Sequence, residues 1–550
     1  MVPLPHTAPH IAPRTGAARR AEGPGRESHL PVLADGRGPL TEGMADTPRP
    51  PAAVAETHTG TVFFSGDRAY KQKKPLDLGF VDFRSPASRR QACHREVELN
   101  RRFAPDVYLG VAEVHAPDGQ PCDWLVVMRR MPADRRLAAL LRAGENVDEP
   151  LRALARTLAA HHATARRSPA IDAQGSAAAL RARWTDNLAA LEPFGGAVAD
   201  PAVLDEIGER ALRYVDGRRD LFAERIASGK VRDGHGDLLA DDVFCLPDGP
   251  RALDCLEFDD DLRALDGVDD AACLAMDLER LEAPAEAARF LGWFAEFAGG
   301  PRVASLEHHY VAYRAVMRAK VACLRWQQGA RASAADVVRL LGIGLTHLRA
   351  AQPRLILVGG PPGVGKSTLA GGLADALGAV LVRSDRVRKE EAGLGPEADG
   401  RAPWRTGLYE PGRTTAVYDA LRSRAVAALR HGESVVLDAS WADAGQRDAA
   451  RVIASRAGAT VVELRCVAPA AVAAARIANR SGDPSDATAE IAERLAAEFA
   501  PWPEAPGIDT LGSPADAVAA ALHHVENTVD VRIVGRPRQD EGPAGVVQRP

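Results

Sequence analysis

The chain has 550 residues, a formal net charge of −5, 46% hydrophobic residues and 26% charged residues. The chain is longer than a single domain usually is, which predicts two or three soluble domains. Its slightly negative net charge excludes a general attraction to nucleic acid. The seven scattered cysteines form no C-x-x-C pair and no spacing typical of a zinc site, so a cytoplasmic protein is expected. No apolar run approaches the roughly 18–20 residues of a membrane span, so no membrane contact is expected.

The two ends of the chain differ in composition from the rest. Residues 1–56 are rich in Pro, Ala, Gly and Arg and lack hydrophobic periodicity, so they cannot bury enough apolar surface to offset their ordering entropy. They also lack the continuous apolar core of a signal peptide. We predict disorder for residues 1–56 and for the tail 527–550, with Met44 as a second candidate start.

Regular structure is predicted from Thr57 onward. A hairpin comes first, then a helix with Cys93, Val97 and Asn100 on one side, and then a buried strand. From Leu137 to about Leu345 the pattern is mostly helical, interrupted by two strand-like stretches. The segments behind these predictions are "GTVFFSGDRAYKQKK", "SRRQACHREVELNRRF", "CDWLVVMRRM", "VFCL" and "ALDCLEF".

Residues of this first half occur in the order of a kinase active site. The segment "HGDLLADD" places Asp237 in a loop, and Asp254 follows on an apolar predicted strand. A loop acid followed by a strand acid is the arrangement of catalytic base and metal ligand in kinase-like folds, with Glu257 as the alternative ligand. Upstream, Lys71 lies on an early predicted strand and Glu96 on the next helix, as in a lysine–glutamate ion pair.

Together with "DGHGDL", "DCLEFDDDLRALDGVDDAACLAMDL" and a later "GGPPGVGKSTLA", these segments resemble the aminoglycoside-phosphotransferase-like family fused to a C-terminal P-loop kinase. The resemblance covers residues 57–525 and implies an α+β protein-kinase-like domain over 57–345. It also implies roles for single residues: Lys71 holds the α- and β-phosphates of ATP, Glu96 pairs with Lys71, Asp237 is the base, and Asp254 or Glu257 binds Mg²⁺.

The chain departs from this family at two positions. Leu239 stands where the family usually has His, and Asp242 where it has Asn. Asp242 offers a hard oxygen ligand to Mg²⁺, but it adds charge beside the other acids, and without metal one pKa should rise. A Gly-rich loop over the phosphates is also missing. The first domain is therefore expected to be a metal-dependent kinase or a regulatory pseudokinase, with an unrelated fold as the third alternative.

The pattern changes near residue 350, where strands begin to alternate with helices. This alternation predicts an α/β P-loop NTPase domain with a parallel sheet over residues 352–526. Its first strand is followed directly by a complete G-x-x-x-x-G-K-[ST] motif. The glycines of this motif let backbone N–H groups surround phosphates. Lys366 would reach the β- and γ-phosphates of ATP, and Ser367 would ligate Mg²⁺. The loop consists of Gly360, Pro361, Pro362, Gly363, Val364, Gly365, Lys366, Ser367 and Thr368.

Asp385 follows the second strand of this domain, with Arg388 three positions later. This arrangement resembles small AAA-type P-loop kinases of the gluconate kinase, polynucleotide 5′-kinase and zeta-toxin type. The resemblance implies that Asp385 accepts the proton of the acceptor hydroxyl and that Arg388 orients substrate or phosphate. The alternative is that Asp385 caps the next helix.

Three further residues have two interpretations each. Asp438 ends the strand "SVVLDAS" and would hold a Mg²⁺-bound water, or it caps the following helix. Arg476 and Arg480 lie four apart and share one helix face. The resemblance implies a lid that presents them to the transferred phosphoryl group, and the alternative is a solvated basic face.

Two groups outside these motifs receive structural roles. The pair His161–His162 is assigned to the surface or the core edge, because adjacent residues do not face one point on a helix. Asp270 and Asp277 are expected to cap or pair within helices.

The sequence thus predicts a two-domain phosphotransferase that uses ATP and Mg²⁺ and acts on a hydroxyl of an unidentified small molecule. One alternative is a regulatory ATPase whose first domain senses a ligand. The other is a polynucleotide 5′-kinase, which would need a basic groove around Asp385. The groove residues would be Arg383, Arg386, Arg388 and Lys389. The acceptor, the coupling of the two domains and the oligomeric state stay open.

Overall fold

A computed structural model describes residues 53–56, 60–77, 82–395, 398, 405–479 and 489–528. These residues belong to one compact unit, built from a first domain up to Ala351 and a second domain from Arg354. No helix among them is both long enough and apolar enough to cross a membrane.

The first domain starts with a five-stranded antiparallel sheet of order β1-β2-β3-β5-β4 and one helix that packs on it. Cys93 and Val97 on one face of that helix join Val126 of the sheet in a buried cluster, as the helical spacing predicts. β1 lies within the segment for which the sequence predicts disorder, and it pairs with β2 over four residues. The bounds are β1 Ala53–Glu56, β2 Gly60–Ser65, β3 Arg68–Lys73, α1 Pro86–Asn100, β4 Tyr108–His115 and β5 Pro121–Arg129.

The rest of the first domain is a helical lobe with two short strand pairs, β6 with β9 and β7 with β8. Its bounds are α2 Leu137–Arg142, α3 Asp148–Thr164, α4 Pro169–Gln174, α5 Ala177–Leu191, α6 Pro201–Gly217, α7 Arg219–Ala227, β6 Val231–Asp233, β7 Val243–Leu246, β8 Gly249–Ala252, β9 Ala264–Asp266, α8 Gly267–Arg280, α9 Pro284–Ala298, α10 Ala304–Gln327 and α11 Ser333–Ala351. The prediction of a strand through Asp254 is wrong, because β8 ends at Ala252 and Asp254 adopts a left-handed conformation with a φ of 63°.

The second domain is an all-parallel sheet of order β11-β12-β10-β13-β14 between helices. Alternate residues of β10 enter different buried clusters, Leu355 and Leu357 on one face and Ile356 and Val358 on the other. A strand buried on both faces reads as one apolar run, which is why the sequence predicts it. The bounds are β10 Arg354–Gly359, α12 Lys366–Leu377, β11 Val380–Arg383, α13 Ser384–Glu391, α14 Pro411–Arg430, β12 Val435–Asp438, α15 Ala444–Arg456, β13 Thr460–Val467, α16 Ala470–Ala478, α17 Ala489–Ala497, β14 Gly507–Asp509 and α18 Pro514–Asn527.

The two domains meet where the end of α6 and the start of α7 contact the turn between α15 and β13. Arg218 is buried there, and its guanidinium donates a hydrogen bond to the carbonyl of Ala457. Gly217 packs so closely on the same carbonyl that a Cβ atom would collide with it. A second contact joins Arg430 of α14 to Asp220 of α7 at 3.3 Å.

Candidate active sites

The phosphate loop joins β10 to α12, as the sequence predicts. Gly360, Gly363 and Gly365 have φ angles of 135°, 83° and 92°, which only glycine adopts without strain. A Cβ atom on Gly363 would also collide with the backbone of Ala473. The ammonium of Lys366, the first residue of α12, donates to the carbonyl of Pro361 at 2.9 Å. The loop therefore leads into a helix N-terminus, which favours the binding of phosphate.

Asp438 stands next to this loop. It is the last residue of β12, is buried, and interacts with the side chain of Ser367. Burial raises the pKa of Asp438, and Lys366 and Ser367 counteract this rise. Arg383 contributes a contact at 3.3 Å. The following helix α15 is capped by Asp443, so the capping interpretation of Asp438 is wrong.

Asp385 lies in the first turn of α13 and lines the same cavity, two residues after Arg383, which pairs with Asp438 in the sheet. No side chain caps this helix, so the structure does not show Asp385 as a cap. Arg388, one turn later, donates to the carbonyl of Leu408 at 2.9 Å and lies over the ring of Tyr409. Its Nε is buried and has no hydrogen-bond partner in the described part of the chain.

Arg476 also lines the cavity, and its guanidinium donates to the carbonyl of Thr510 at 2.7 Å. Arg480 lies outside the described residues. The four basic residues around Asp385 do not form a common groove: Lys389 is buried, Arg383 contacts Asp438, and Arg388 packs on Tyr409.

The cavity that joins these groups has a volume of about 630 Å³. It begins at the phosphate loop and continues beyond Asp385 between α13, α14 and the loop after β12. Hydroxyl, amide and charged side chains line this outer part. They include Arg405, Tyr409, Thr414, Thr415, Ser440, Gln446 and Glu498.

The first domain brings the predicted kinase residues together around two lysines. The Lys71 ammonium contacts Glu96 at 2.9 Å and Asp254 at 2.5 Å. Lys73, two residues along β3 and fully buried, contacts Glu96 at 2.6 Å and is also paired with Glu257. Because Lys73 holds Glu257, the structure favours Asp254 over Glu257 as the acid that faces the site.

Three acids gather at this centre. Asp237 lies 3.3 Å from the guanidinium of Arg318, a residue of α10. Removal from solvent, together with the neighbouring Asp254 and Asp237, raises the pKa of Asp242 well above its ordinary value. This is the rise expected from placing an Asp at the Asn position. Leu239 packs against the hydrophobic core of the helical lobe.

The loop that contains Asp237 is held in place by side chains of α8. Asp270 accepts hydrogen bonds from the backbone amides of His235 at 2.8 Å and Gly236 at 2.9 Å, and it also contacts His162 at 2.9 Å. Burial alone would raise the pKa of Asp270, but these donors hold it far below its usual range. Asp277 accepts from the amide of Ala240 at 2.9 Å. Asp277 also pairs with Arg280 of the same helix at 2.7 Å, as predicted. The prediction is wrong for Asp270, whose partners lie outside its own helix, and His162 is a buried partner of the loop.

Sequence reasoning missed Lys73, Arg318 and the role of Asp270. The spacing of Lys71 and Lys73 could have indicated that both lie on one face of a strand. No local pattern marks Arg318 or Asp270, because their partners stand 81 and 35 residues away.

The donors of both sites suit Mg²⁺. Carboxylate and hydroxyl oxygens are hard ligands, and Mg²⁺ is commonly bound by one or two carboxylates together with phosphates and water. Within the described ranges, no three His, Cys, Asp or Glu side chains form a metal site by themselves. A metal at either place would therefore need phosphate oxygens as additional ligands.

The chain is similar to one protein family model, to relatives that match most of its length, and to solved kinase structures. A family model described as an AAA domain matches residues 355–502. Uncharacterized proteins of Mycobacterium tuberculosis and Mycobacterium bovis are 44% identical over 489 residues, which is 88% of this chain and 98% of each relative. A solved gluconokinase from Sinorhizobium meliloti is 22% identical, with 32% of this chain and 91% of its own covered at a TM-score of 0.22. A choline/ethanolamine kinase family protein from Mesorhizobium loti is 15% identical, with 55% and 92% covered at a TM-score of 0.35.

Proposed function

This chain belongs to the family of these mycobacterial relatives. On that premise, and because an AAA-domain model matches residues 355–502, we propose that the second domain is an ATP- and Mg²⁺-dependent kinase for a small-molecule hydroxyl. One observation carries the proposal. A single cavity is lined by residues of the phosphate loop, by Asp438 and by Asp385, which follows the strand next to that of Asp438.

The phosphate side of the cavity supplies charge and position. The loop amides and Lys366 would bind the β- and γ-phosphates of ATP, and this fixed positive charge favours the transition state of phosphoryl transfer. Ser367 and Asp438 would hold Mg²⁺ directly or through water, and the ion would neutralise phosphate charge. Both residues line the same cavity.

The acceptor side supplies a base and room for a substrate. Asp385 would accept the proton of the attacking hydroxyl, since it stands at the carboxyl edge of the sheet that faces the γ-phosphate. A volume of about 630 Å³ falls within the roughly 300–1,000 Å³ of small-molecule sites. The basic side chains that a polynucleotide 5′-kinase would need do not line a shared groove, so nothing in the geometry favours that alternative.

A screen of hydroxylated acceptors with radiolabelled ATP tests the proposal. Wild-type protein should yield a labelled product, and Lys366→Ala should abolish it. Asp385→Asn should lower kcat by roughly 10²–10⁴-fold, the usual contribution of a general base. Arg386→Ala, an exposed neighbour on the same helix, should keep wild-type kcat. Full turnover in Lys366→Ala would refute the assignment.

A second candidate is a regulatory ATPase with a pseudokinase as its first domain. It is favoured by the contact of 2.5 Å between Lys71 and Asp254, because the residue that would hold phosphates is bonded to the residue that would hold metal. Such a protein would release free phosphate without any acceptor. Asp237→Ala would then leave turnover unchanged, whereas an active first kinase site would lose its share of the labelled product.

A further inference from the structure

A second cavity, of about 210 Å³, lies in the first domain between α3, α7, α8, α9 and the segment that follows α9. None of the residues that gather around Lys71 lines it. With about 30 Å³ for each water molecule in the liquid, this space corresponds to roughly seven waters. It has room for a small metabolite.

The walls of this cavity are strongly basic. Arg225, Lys230, Arg232 and Arg302 line it, against a single acid, Glu307. Glu307 pairs with Arg302, and Arg225 pairs with Asp266 at 2.6 Å.

Lys230 and Arg232 are left without an ion-pair partner among the described residues. The Lys230 ammonium donates only to the carbonyls of Ala298 and Gly299, both at 3.1 Å. Burial, Arg225 and Arg232 lower the pKa of Lys230, and the nearby Asp266 only partly opposes this shift. Like charges that repel each other beside a cavity are stabilised by an anion.

His162 adds a buried polar group that faces this cavity. Only 7% of the residue is exposed, and its Nδ1 has no hydrogen-bond partner within the part of the chain that the structure describes. Nδ1 lies beside Gly267, the first residue of α8, where the helix N-terminus favours negative charge. Apolar side chains, among them Phe294 and Leu291, complete the wall.

The same histidine is joined to the catalytic loop. Its other ring nitrogen, Nε2, lies 2.9 Å from Asp270, and Asp270 accepts the amides of His235 and Gly236. Gly236 directly precedes Asp237. A ligand that reorients His162 would thus act on the loop through two hydrogen-bonded side chains.

We propose that this cavity binds a small carboxylate or phosphate monoester with an apolar body, and that its occupancy is transmitted through His162 and Asp270 to the loop of Asp237. The basic side chains hold the anion, and the aromatic wall holds the body. The first domain thereby senses a metabolite at a place separate from its kinase centre.

Calorimetric titration with phenyl phosphate tests the site. The full chain carries Lys366→Ala in this experiment, so that binding at the phosphate loop is suppressed. Phenyl phosphate should bind, and Lys230→Met should weaken it at least tenfold. Arg331→Met, which removes an exposed cation of the same domain, should leave the affinity unchanged.

Benzyl alcohol serves as the neutral ligand and should not bind measurably. Absence of phenyl phosphate binding overturns the proposal. So does unchanged binding in Lys230→Met, or binding of benzyl alcohol with equal affinity.

Hydrogen exchange of the segment 231–242 tests the link. Saturating phenyl phosphate should slow exchange in the wild-type loop, and His162→Gln should remove this slowing at a concentration that saturates the variant. Equal slowing in both proteins overturns the link, as does unchanged exchange in the wild type. If His162→Gln no longer binds, His162 is assigned to the ligand contact, and the wild-type exchange alone decides the link. His162→Asn replaces the variant if the glutamine form does not fold.

Discussion

Single residues around Lys71 and Lys73 are stabilised by mutual pairing. Two buried lysines share Glu96, and each has a second carboxylate, Asp254 or Glu257. Burial alone would raise the pKa of Glu96, but Lys71 and Lys73 hold it below its ordinary value. Each charge in this network is therefore tolerated in the interior only because its partners are present.

Removing one partner should cost much of the domain's stability. Glu96→Gln leaves two buried ammonium groups short of a carboxylate and should lower the free energy of unfolding by about 3–5 kcal/mol. The control Glu98→Gln, exposed on the same helix, should stay within about 0.5 kcal/mol of wild type. Urea unfolding measures both, and equal stability of the two variants would contradict the network.

The raised pKa of Asp242 predicts a stability change with a definite sign. An acid whose pKa is higher in the folded protein keeps its proton while the unfolded chain loses it, so it costs stability as pH rises above the unfolded value of about 3.9. Asp242→Asn removes this cost and should raise the melting temperature at pH 7 in the absence of metal. The difference should shrink toward pH 4, and a melting temperature below that of wild type at pH 7 would contradict the prediction.

The same substitution distinguishes a decayed site from a working one. Asn is neutral and would bind Mg²⁺ through one amide oxygen. If Asp242 is the working ligand, Asp242→Asn should weaken Mg²⁺ binding measured in the presence of ATP. Stronger binding or higher activity would favour decay of the site.

At the scale of elements, the contact between α6 and the α15–β13 turn depends on a missing side chain. Gly217 has no room for a Cβ atom against the Ala457 carbonyl. Gly217→Ala should therefore separate the two elements and lower stability by about 1–3 kcal/mol. Differential scanning calorimetry should show the domains beginning to unfold separately.

Gly342→Ala is the matched control for this substitution. Gly342 lies exposed in the interior of α11, and a Cβ atom there meets nothing within 4 Å. Alanine should stabilise that helix by about 0.5–1 kcal/mol. If both variants gain stability, the contact between α6 and the turn is not tightly packed.

At the scale of the whole molecule, the shared interface predicts that nucleotide binding stabilises both domains. ATP with Mg²⁺ at about 100 times its Kd should raise the free energy of unfolding by about 2.7 kcal/mol. If the domains unfold together, hydrogen exchange in the buried helix α10 of the first domain should slow by the factor that corresponds to this added free energy of unfolding. Lys366→Ala should remove the effect, and protection confined to the second domain would show that the domains unfold independently.

The sequence by itself determined the features whose physics is local. The phosphate loop is nine contiguous residues between a strand and a helix, so its glycines and lysine identify it without knowledge of the fold. The hairpin, the α1 face and the strands β10 to β13 follow from the same short-range periodicity. The order of Lys71, Glu96 and Asp237 along the chain indicated that Lys71 pairs with Glu96, and the structure shows this contact.

Only the tertiary structure decided which long-range partners each charge has. Asp254 faces Lys71 because it adopts a left-handed backbone conformation after β8. Glu257 does not face Lys71 in the same way, because it is paired with Lys73. The short β14 has too few residues to show a period. Asp270 bonds the loop of Asp237 across 35 residues of sequence, and His162 contacts Asp270 across 108 residues. Contacts at such separations depend on how helices pack, and no local pattern encodes them.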